Sequence, residues 1–118
     1  MFYIVISIVG AAVLLVINYI GEQRGMYKKG HENFWFDKIM HFSGGFFVAM
    51  FFFPLVGYWL SVIGLAFFVG VLWEIGEYFY GVYIFKKYGT RDKMTEFRDT
   101  VEDLCCDFVG AVVLILFW

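Results

Sequence analysis

Charge is scarce in this sequence. Only 17% of its 118 residues are Asp, Glu, Lys or Arg, whereas 62% are hydrophobic and 24% are aromatic, and the mean hydropathy is +0.75. A soluble domain of this size could not bury so much apolar side chain. The composition therefore excludes a soluble globular protein and indicates an integral membrane protein.

Cysteine and proline are also rare. Cys105 and Cys106 are adjacent, and because a disulfide between neighbouring cysteines is strained, we expect two free thiols and no sign of an oxidising compartment. The single proline, Pro54, lies near the end of the second apolar segment. Residues 2–20 lack a basic start and a small-residue cleavage site, so we predict a retained membrane span rather than a signal peptide.

The apolar segments predict the fold class. Four of them, near 2–20, 36–56, 60–84 and 99–118, approach the roughly 20 residues that cross a bilayer. We therefore predict an all-α, polytopic membrane protein with four transmembrane helices in one bundle, forming a single domain over residues 1–118. The fourth segment begins with aspartates, so it can span only if they face protein rather than lipid.

The connections between these segments predict the topology. Residues 21–35 and 86–98 are rich in Lys and Arg, whereas the link between the second and third segments has no charge. The positive-inside rule then places the basic loops in the cytoplasm and both termini outside. We expect a multi-pass protein of a bacterial or archaeal inner membrane. The expected partner is membrane lipid; a homo-oligomer is left open, and nucleic acid is not expected. Aromatic side chains should mark the outer interface: Tyr3, Tyr58, Trp59 and Trp118.

The ionisable side chains of the predicted spans all lie in their cytoplasmic halves. Asp37 and His41 are four residues apart in the second span, and two glutamates are three apart in the third. Such spacings place side chains on one helix face. The fourth span adds a ladder of aspartates. The full predicted cluster is Asp37, His41, Glu74, Glu77, Asp99, Asp103 and Asp107.

This cluster predicts a metal site. Carboxylates in hydrocarbon are costly and repel one another, so either several are protonated or a cation lies among them. Acids and an imidazole from facing helices resemble the sites of di-metal helical bundles. We therefore predict that all seven residues are candidate ligands of a divalent metal, namely Zn, Mn, Mg or Fe. Cys106 lies near the Asp103 face and is interpreted as a structural thiol rather than a ligand.

Simpler interpretations exist for each part of the cluster. Asp37 and His41 also suit a helix cap or an interface pair, and Asp99 suits an N-cap. Glu74 and Glu77 could be neutralised by Lys86 or Lys87. Small residues would let the helices approach closely; the candidates are Gly44, Gly45, Gly76 and Gly110.

Three motifs resemble a known family. "FDKIMHFSGGFF", "LWEIGEYF" and "DTVEDLCCDFVGA" resemble the YjdF/VanZ-like group of small bacterial and archaeal membrane proteins. The resemblance covers about residues 36–112 and implies the same acidic and histidine positions, without implying a reaction. A second, weaker resemblance is to small bacterial diacylglycerol kinases, which lack the Asp-Lys-x-x-His start.

These patterns leave three functions open. The first is a metal-dependent enzyme acting on a lipid headgroup or another substrate at the membrane surface, with Lys38, Lys86, Lys87, Arg91 and Arg98 placed to hold a phosphate. The second is a cation or proton carrier that uses the same carboxylates. The third is a structural membrane subunit without metal. We favour a metal site and assign no catalytic residue.

Overall fold

The computed structural model describes residues 1–23, 34–80 and 93–118. These residues form four α-helices: α1 (Phe2–Gln23), α2 (Phe34–Val56), α3 (Trp59–Tyr80) and α4 (Lys93–Phe117). The prediction of an all-helical protein is confirmed. Most of the predicted basic connections, within residues 24–33 and 81–92, lies outside the described residues, whereas residues 93–98 belong to α4.

Three of the four helices are long and apolar enough to cross a membrane. Their spanning segments are Phe2–Gly21, Phe36–Val56 and Trp59–Phe79. The fourth helix is not among them, since charged residues occupy much of its first half. It begins at Lys93, six residues before the predicted start. Asp99 therefore lies within the helix, and its interpretation as an N-cap is wrong.

Helix α2 is the centre of the bundle. It packs against α1, α3 and α4, and α3 also packs against α4. The link from α2 to α3 is very short, because Gly57 adopts a positive φ of 72°. Its backbone N–H donates a 2.8 Å hydrogen bond to the carbonyl of Phe53. This left-handed glycine ends α2 and reverses the chain.

Small residues let α2 and α4 approach closely. A Cβ atom added to Gly45 would collide with the backbone of Asp107, and one added to Gly110 would collide with the backbone of Phe42. The predicted close approach is confirmed at these two glycines. At Gly76 a Cβ would meet nothing within 4 Å among the described residues, so the packing role of Gly76 stays a prediction.

One end of the bundle is apolar and aromatic. The buried core lies towards this end and comprises Ala49, Val62, Ala66, Ala111 and Leu114. The ring centre of Trp118 lies 4.4 Å from the ring centre of Tyr3 and 4.6 Å from the ring centre of Phe53. The start of α1 and the ends of α2 and α4 therefore meet here. The predicted polar cluster lies towards the opposite end.

Candidate metal centre

His41 is the centre of the polar cluster. It faces inward from α2, and only 5% of its surface is exposed. Asp103 and Asp107, one turn apart on α4, are 2% and 4% exposed. Helical spacing alone places these two aspartates on one face of α4. The close approach at the α2–α4 glycines brings that face against His41.

Three carboxylate oxygens from three helices face one nitrogen of His41. Its Nε2 lies 3.3 Å from Glu74 Oε1 on α3 and 3.4 Å from Asp103 Oδ2 on α4. Asp37 Oδ1, one turn earlier on α2, lies 3.6 Å away. The predicted convergence of α2, α3 and α4 on one point is therefore present in the structure.

The other nitrogen of His41 faces a different carboxylate. Its Nδ1 lies 3.3 Å from Asp107 Oδ2. A proton on Nδ1 donated to Asp107 leaves the lone pair of Nε2 directed at the three oxygens. Metal-binding histidines characteristically have this arrangement, in which a carboxylate behind the ring fixes its tautomer and orientation.

Lys38 occupies the outer side of the same cluster. It is buried, and its Nζ donates a 2.5 Å hydrogen bond to Asp103 Oδ1. The same Nζ lies 3.7 Å from Asp37 Oδ2 and 3.6 Å from Glu102 Oε2. Asp37 and Asp103 therefore each direct one oxygen at Lys38 and the other at His41 Nε2.

The two glutamates of α3 are oriented by neighbouring donors. The indole Nε1 of Trp73 donates a 2.9 Å hydrogen bond to Glu77 Oε1. The hydroxyl of Thr100 on α4 lies 3.4 Å from Glu74 Oε2, to which it can donate. Glu74 therefore directs Oε2 at Thr100 of α4 and Oε1 at His41.

The spacing of these atoms suits a metal ion. Candidate ligand atoms lie within 4.8 Å of one another in two overlapping groups, which are Asp37, His41 and Asp103, and His41, Glu74 and Glu77. A tetrahedral ion about 2.0 Å from each ligand separates its ligands by about 3.3 Å. The distances from His41 Nε2 to its three oxygens, 3.3 to 3.6 Å, are close to that value.

The predicted residues thus divide by position. Five contribute to the two groups of ligand atoms: Asp37, His41, Glu74, Glu77 and Asp103. Asp107 lies behind the imidazole ring, where it orients His41 instead of facing Nε2. The side chain of Asp99 lies outside the described part of the structure. Cys106 is partly exposed and is in neither group.

Lys38 differs from its predicted role. The sequence predicts a residue at the cytoplasmic mouth that could hold a phosphate, whereas in the structure the amine of Lys38 is engaged in ion pairs with buried carboxylates. A lysine in the first turn of a span matches the positive-inside pattern equally well, so the sequence contained no signal to separate the two roles. Arg98 is exposed, and the other three predicted phosphate-binding residues lie outside the described residues.

Comparison with known proteins identifies the family. An uncharacterized protein of Thermotoga maritima is 35% identical over an alignment of 106 residues, and the match covers 80% of this chain and 52% of the relative. The chain therefore spans about half the length of this curated relative. No solved structure matches the present chain. The family model described as "Predicted membrane protein (DUF2238)" matches residues 3–118, nearly the whole chain, and the protein belongs to this family of membrane proteins.

Proposed function

We propose that this protein binds one divalent metal ion at His41, inside a four-helix membrane bundle. The observation that carries the proposal is the arrangement around the imidazole ring. Oxygens from three helices face Nε2, and Asp107 supports Nδ1 from behind. Asp37 and Asp103 are the proposed oxygen ligands from one group, and Glu74 and Glu77 are placed to join them from the other.

The ligand set limits the metal. One imidazole nitrogen and several carboxylate oxygens suit Zn, Mn, Fe or Mg, and the absence of a thiolate from both ligand groups disfavours softer ions. When bound, such a metal can polarise a phosphoryl oxygen or activate water. Glu77, oriented by Trp73, is the carboxylate that remains for proton transfer if it stays outside the coordination sphere. An enzyme acting on a lipid headgroup is the reaction class that this site supports best.

A structural subunit is the second candidate. Two buried aspartates have cationic partners without any metal. Lys38 contacts Asp103, and a protonated His41 contacts Asp107. In that case the cluster would join α2 to α4 and would bind nothing. A cation or proton carrier has less support, because the predicted spans contain no Asp, Glu or His beyond the cluster, towards the aromatic end.

The proposed topology is four spans, with the polar end of the bundle towards the cytoplasm and both termini outside. The basic loops support it, and burial of Asp103 and Asp107 gives α4 a way to cross the bilayer. Cysteines substituted singly at Tyr58 and Gly89, after replacement of Cys105 and Cys106, should be labelled from opposite sides of the membrane. Labelling of both from one side would contradict this topology. The YjdF-like resemblance is compatible with the family and stays a prediction, whereas the VanZ-like resemblance has no support from the related proteins.

Thermal stability with and without metal tests the site. Ligand binding to the folded state alone stabilises a protein by about 2.7 kcal/mol at a hundredfold excess over Kd. A chelator should therefore lower the thermal midpoint of the detergent-purified protein at neutral pH, and one particular divalent metal should restore it. The effect should weaken at acid pH, because protonated ligands bind metal poorly.

A matched pair of variants makes the test specific. In His41→Gln, which removes the central nitrogen ligand, the midpoint should no longer respond to chelator or metal. Glu102→Gln removes a neighbouring charge whose side chain is 46% exposed and reaches Lys38 from outside, so it should respond like the wild type. A wild-type midpoint indifferent to chelator would favour the structural subunit and end the metal proposal.

A further inference from the structure

A cleft connects the polar cluster to the lipid-facing side of the bundle. It has a volume of about 250 Å³ and lies between α1, α2 and α3. Most of its wall is apolar, with Leu14 and Leu15 from α1, Phe47 and Val48 from α2, and Val69 from α3. At its other end the lining changes to polar groups, which are Asn18, Asp37, His41, Glu77 and Asp107.

The cleft exists because α1 and α3 are both attached to α2 and do not pack extensively against each other. Rings from α2 hold α1 in place, since Phe47 packs at Gly10 and Phe36 packs at Gly21. The gap between α1 and α3 is therefore a lateral opening. Both helices are apolar enough to cross a membrane, and the proposed topology would therefore place this opening against lipid.

Glycines extend the cleft as far as the cluster. Gly44 and Gly45 line it on α2, and Gly70 lines it on α3. A Cβ atom at Gly70 would lie 2.5 Å from Asp107 Oδ2, so any larger residue there would separate the apolar wall from the aspartate. The result is a single passage with an apolar outer part and a charged inner end.

We propose that this cleft holds one hydrocarbon chain of a membrane lipid, with the headgroup at the His41 end. The two ends of the cleft match the two ends of such a molecule, and water in the apolar part would find few polar partners. The volume lies just below the range of about 300 to 1,000 Å³ typical of small-molecule sites, which suits a segment of one chain rather than a whole two-chain lipid. The headgroup position and the role of this lipid as a substrate rest on the proposed function, because a phosphate beside Asp37, Glu77 and Asp107 needs the proposed metal. The apolar part of the cleft does not require the metal.

Photo-crosslinking in a bilayer tests the proposal. The full chain would be reconstituted in phosphatidylcholine vesicles with a phosphatidylglycerol that carries a diazirine on one acyl chain, and labelled residues would be mapped by mass spectrometry. A diazirine near the chain end should label Val48 and Val69 on the cleft wall more than the exposed Phe68 and Leu72 of α3. A diazirine near the headgroup should instead label Met40. Equal labelling of wall and outer residues, or the reverse order of depth, would overturn the proposal.

Two substitutions one residue apart provide the control. Ala11 and Ala12 are both exposed on α1, but Ala11 lines the cleft and Ala12 does not. Ala11→Phe should reduce labelling of the cleft wall by about tenfold, the lower range of what a misfit in an apolar pocket costs. Ala12→Phe should leave it unchanged. An equal effect of both variants would contradict the proposal.

The wild-type pattern still decides the question if Ala11→Phe does not fold. Metal content, measured on the same wild-type sample, separates the two proposals. Selective cleft labelling in protein that binds no metal would overturn the proposed metal site and support the lipid cleft. Bound metal with unselective labelling would support the metal site and overturn the cleft.

Discussion

The two ends of the bundle are held together in different ways. At the polar end, Lys38 and His41 from α2 each contact aspartates of α4, and Glu74 of α3 completes the group. At the apolar end, Trp118 lies against Tyr3 and Phe53 in ring contacts. Small buried residues fill the space beside them.

This difference has an energetic consequence. In lipid, apolar side chains gain little from leaving their surroundings, so the apolar end depends on shape and dispersion contacts that each contribute modestly. Buried ions behave otherwise, because removing one partner leaves an uncompensated charge. We therefore expect single substitutions to be far more damaging at the polar end than at the aromatic end.

The largest effect should follow removal of the buried lysine. Lys38→Met keeps much of the side-chain length but leaves Asp103 and Asp37 without their nearest cation. Breaking a buried ion pair from one side typically costs about 3–5 kcal/mol, which reversible unfolding in detergent would measure. Glu102→Gln, at the exposed partner of the same lysine, should cost less than about 1 kcal/mol. Similar losses of unfolding free energy in the two variants would show that Lys38 and Asp103 do not form a buried ion pair in the purified protein.

An intermediate effect should occur where α2 and α4 touch. Gly110→Ala forces a methyl group towards the backbone of Phe42, and overpacking of this kind costs about 1–3 kcal/mol. At Gly64 on α3 an added Cβ meets nothing within 4 Å in the described structure. Gly64→Ala should therefore be neutral or should stabilise by up to about 1 kcal/mol, through helix propensity. If Gly110→Ala were as harmless as Gly64→Ala, the close approach of the two helices would be refuted.

The smallest effect should occur at the aromatic end. Trp118→Ala removes the ring contacts with Tyr3 and Phe53. Aromatic pairs are worth about 0.5–1.5 kcal/mol beyond burial, and because 45% of Trp118 is exposed we expect a total loss at the lower end, about 1 kcal/mol. Its neighbour Phe117 is 85% exposed, and Phe117→Ala should change stability by less than about 0.5 kcal/mol. A loss for Trp118→Ala as large as that for Lys38→Met would remove the distinction between the two ends.

Helical spacing was enough to predict much of this architecture. The four segments were visible as apolar runs, and the intervals within Asp37/His41 and Asp103/Asp107 placed each pair on one face. Spacing along one helix, however, does not fix the rotation of a helix relative to its neighbours. That rotation determines that Asp103 faces Nε2 of His41 whereas Asp107 faces Nδ1. The sequence could therefore predict a cluster but not the separate positions within it.

Two other features were beyond sequence reasoning for different reasons. The first residues of α4, from Lys93 onwards, are mostly polar and have no apolar periodicity. The sequence therefore predicts a helix that begins only at Asp99, the first of the three regularly spaced aspartates. The inward position of Lys38 depends on partners 64 and 65 residues later, Glu102 and Asp103. Such long-range pairing has no counterpart in local sequence.

The metal content of the purified protein tests the central claim most directly. Cells would be grown with Zn, Mn, Fe and Mg supplied together, and the protein would be purified without chelator and examined by elemental analysis. We expect one divalent metal in stoichiometric amount in the wild type and in Glu102→Gln, and loss of most of it in Asp103→Asn, which replaces a proposed anionic ligand. Folding of each variant would be checked by its thermal midpoint. Wild-type protein without stoichiometric metal, or equal metal in folded Asp103→Asn, would contradict the account.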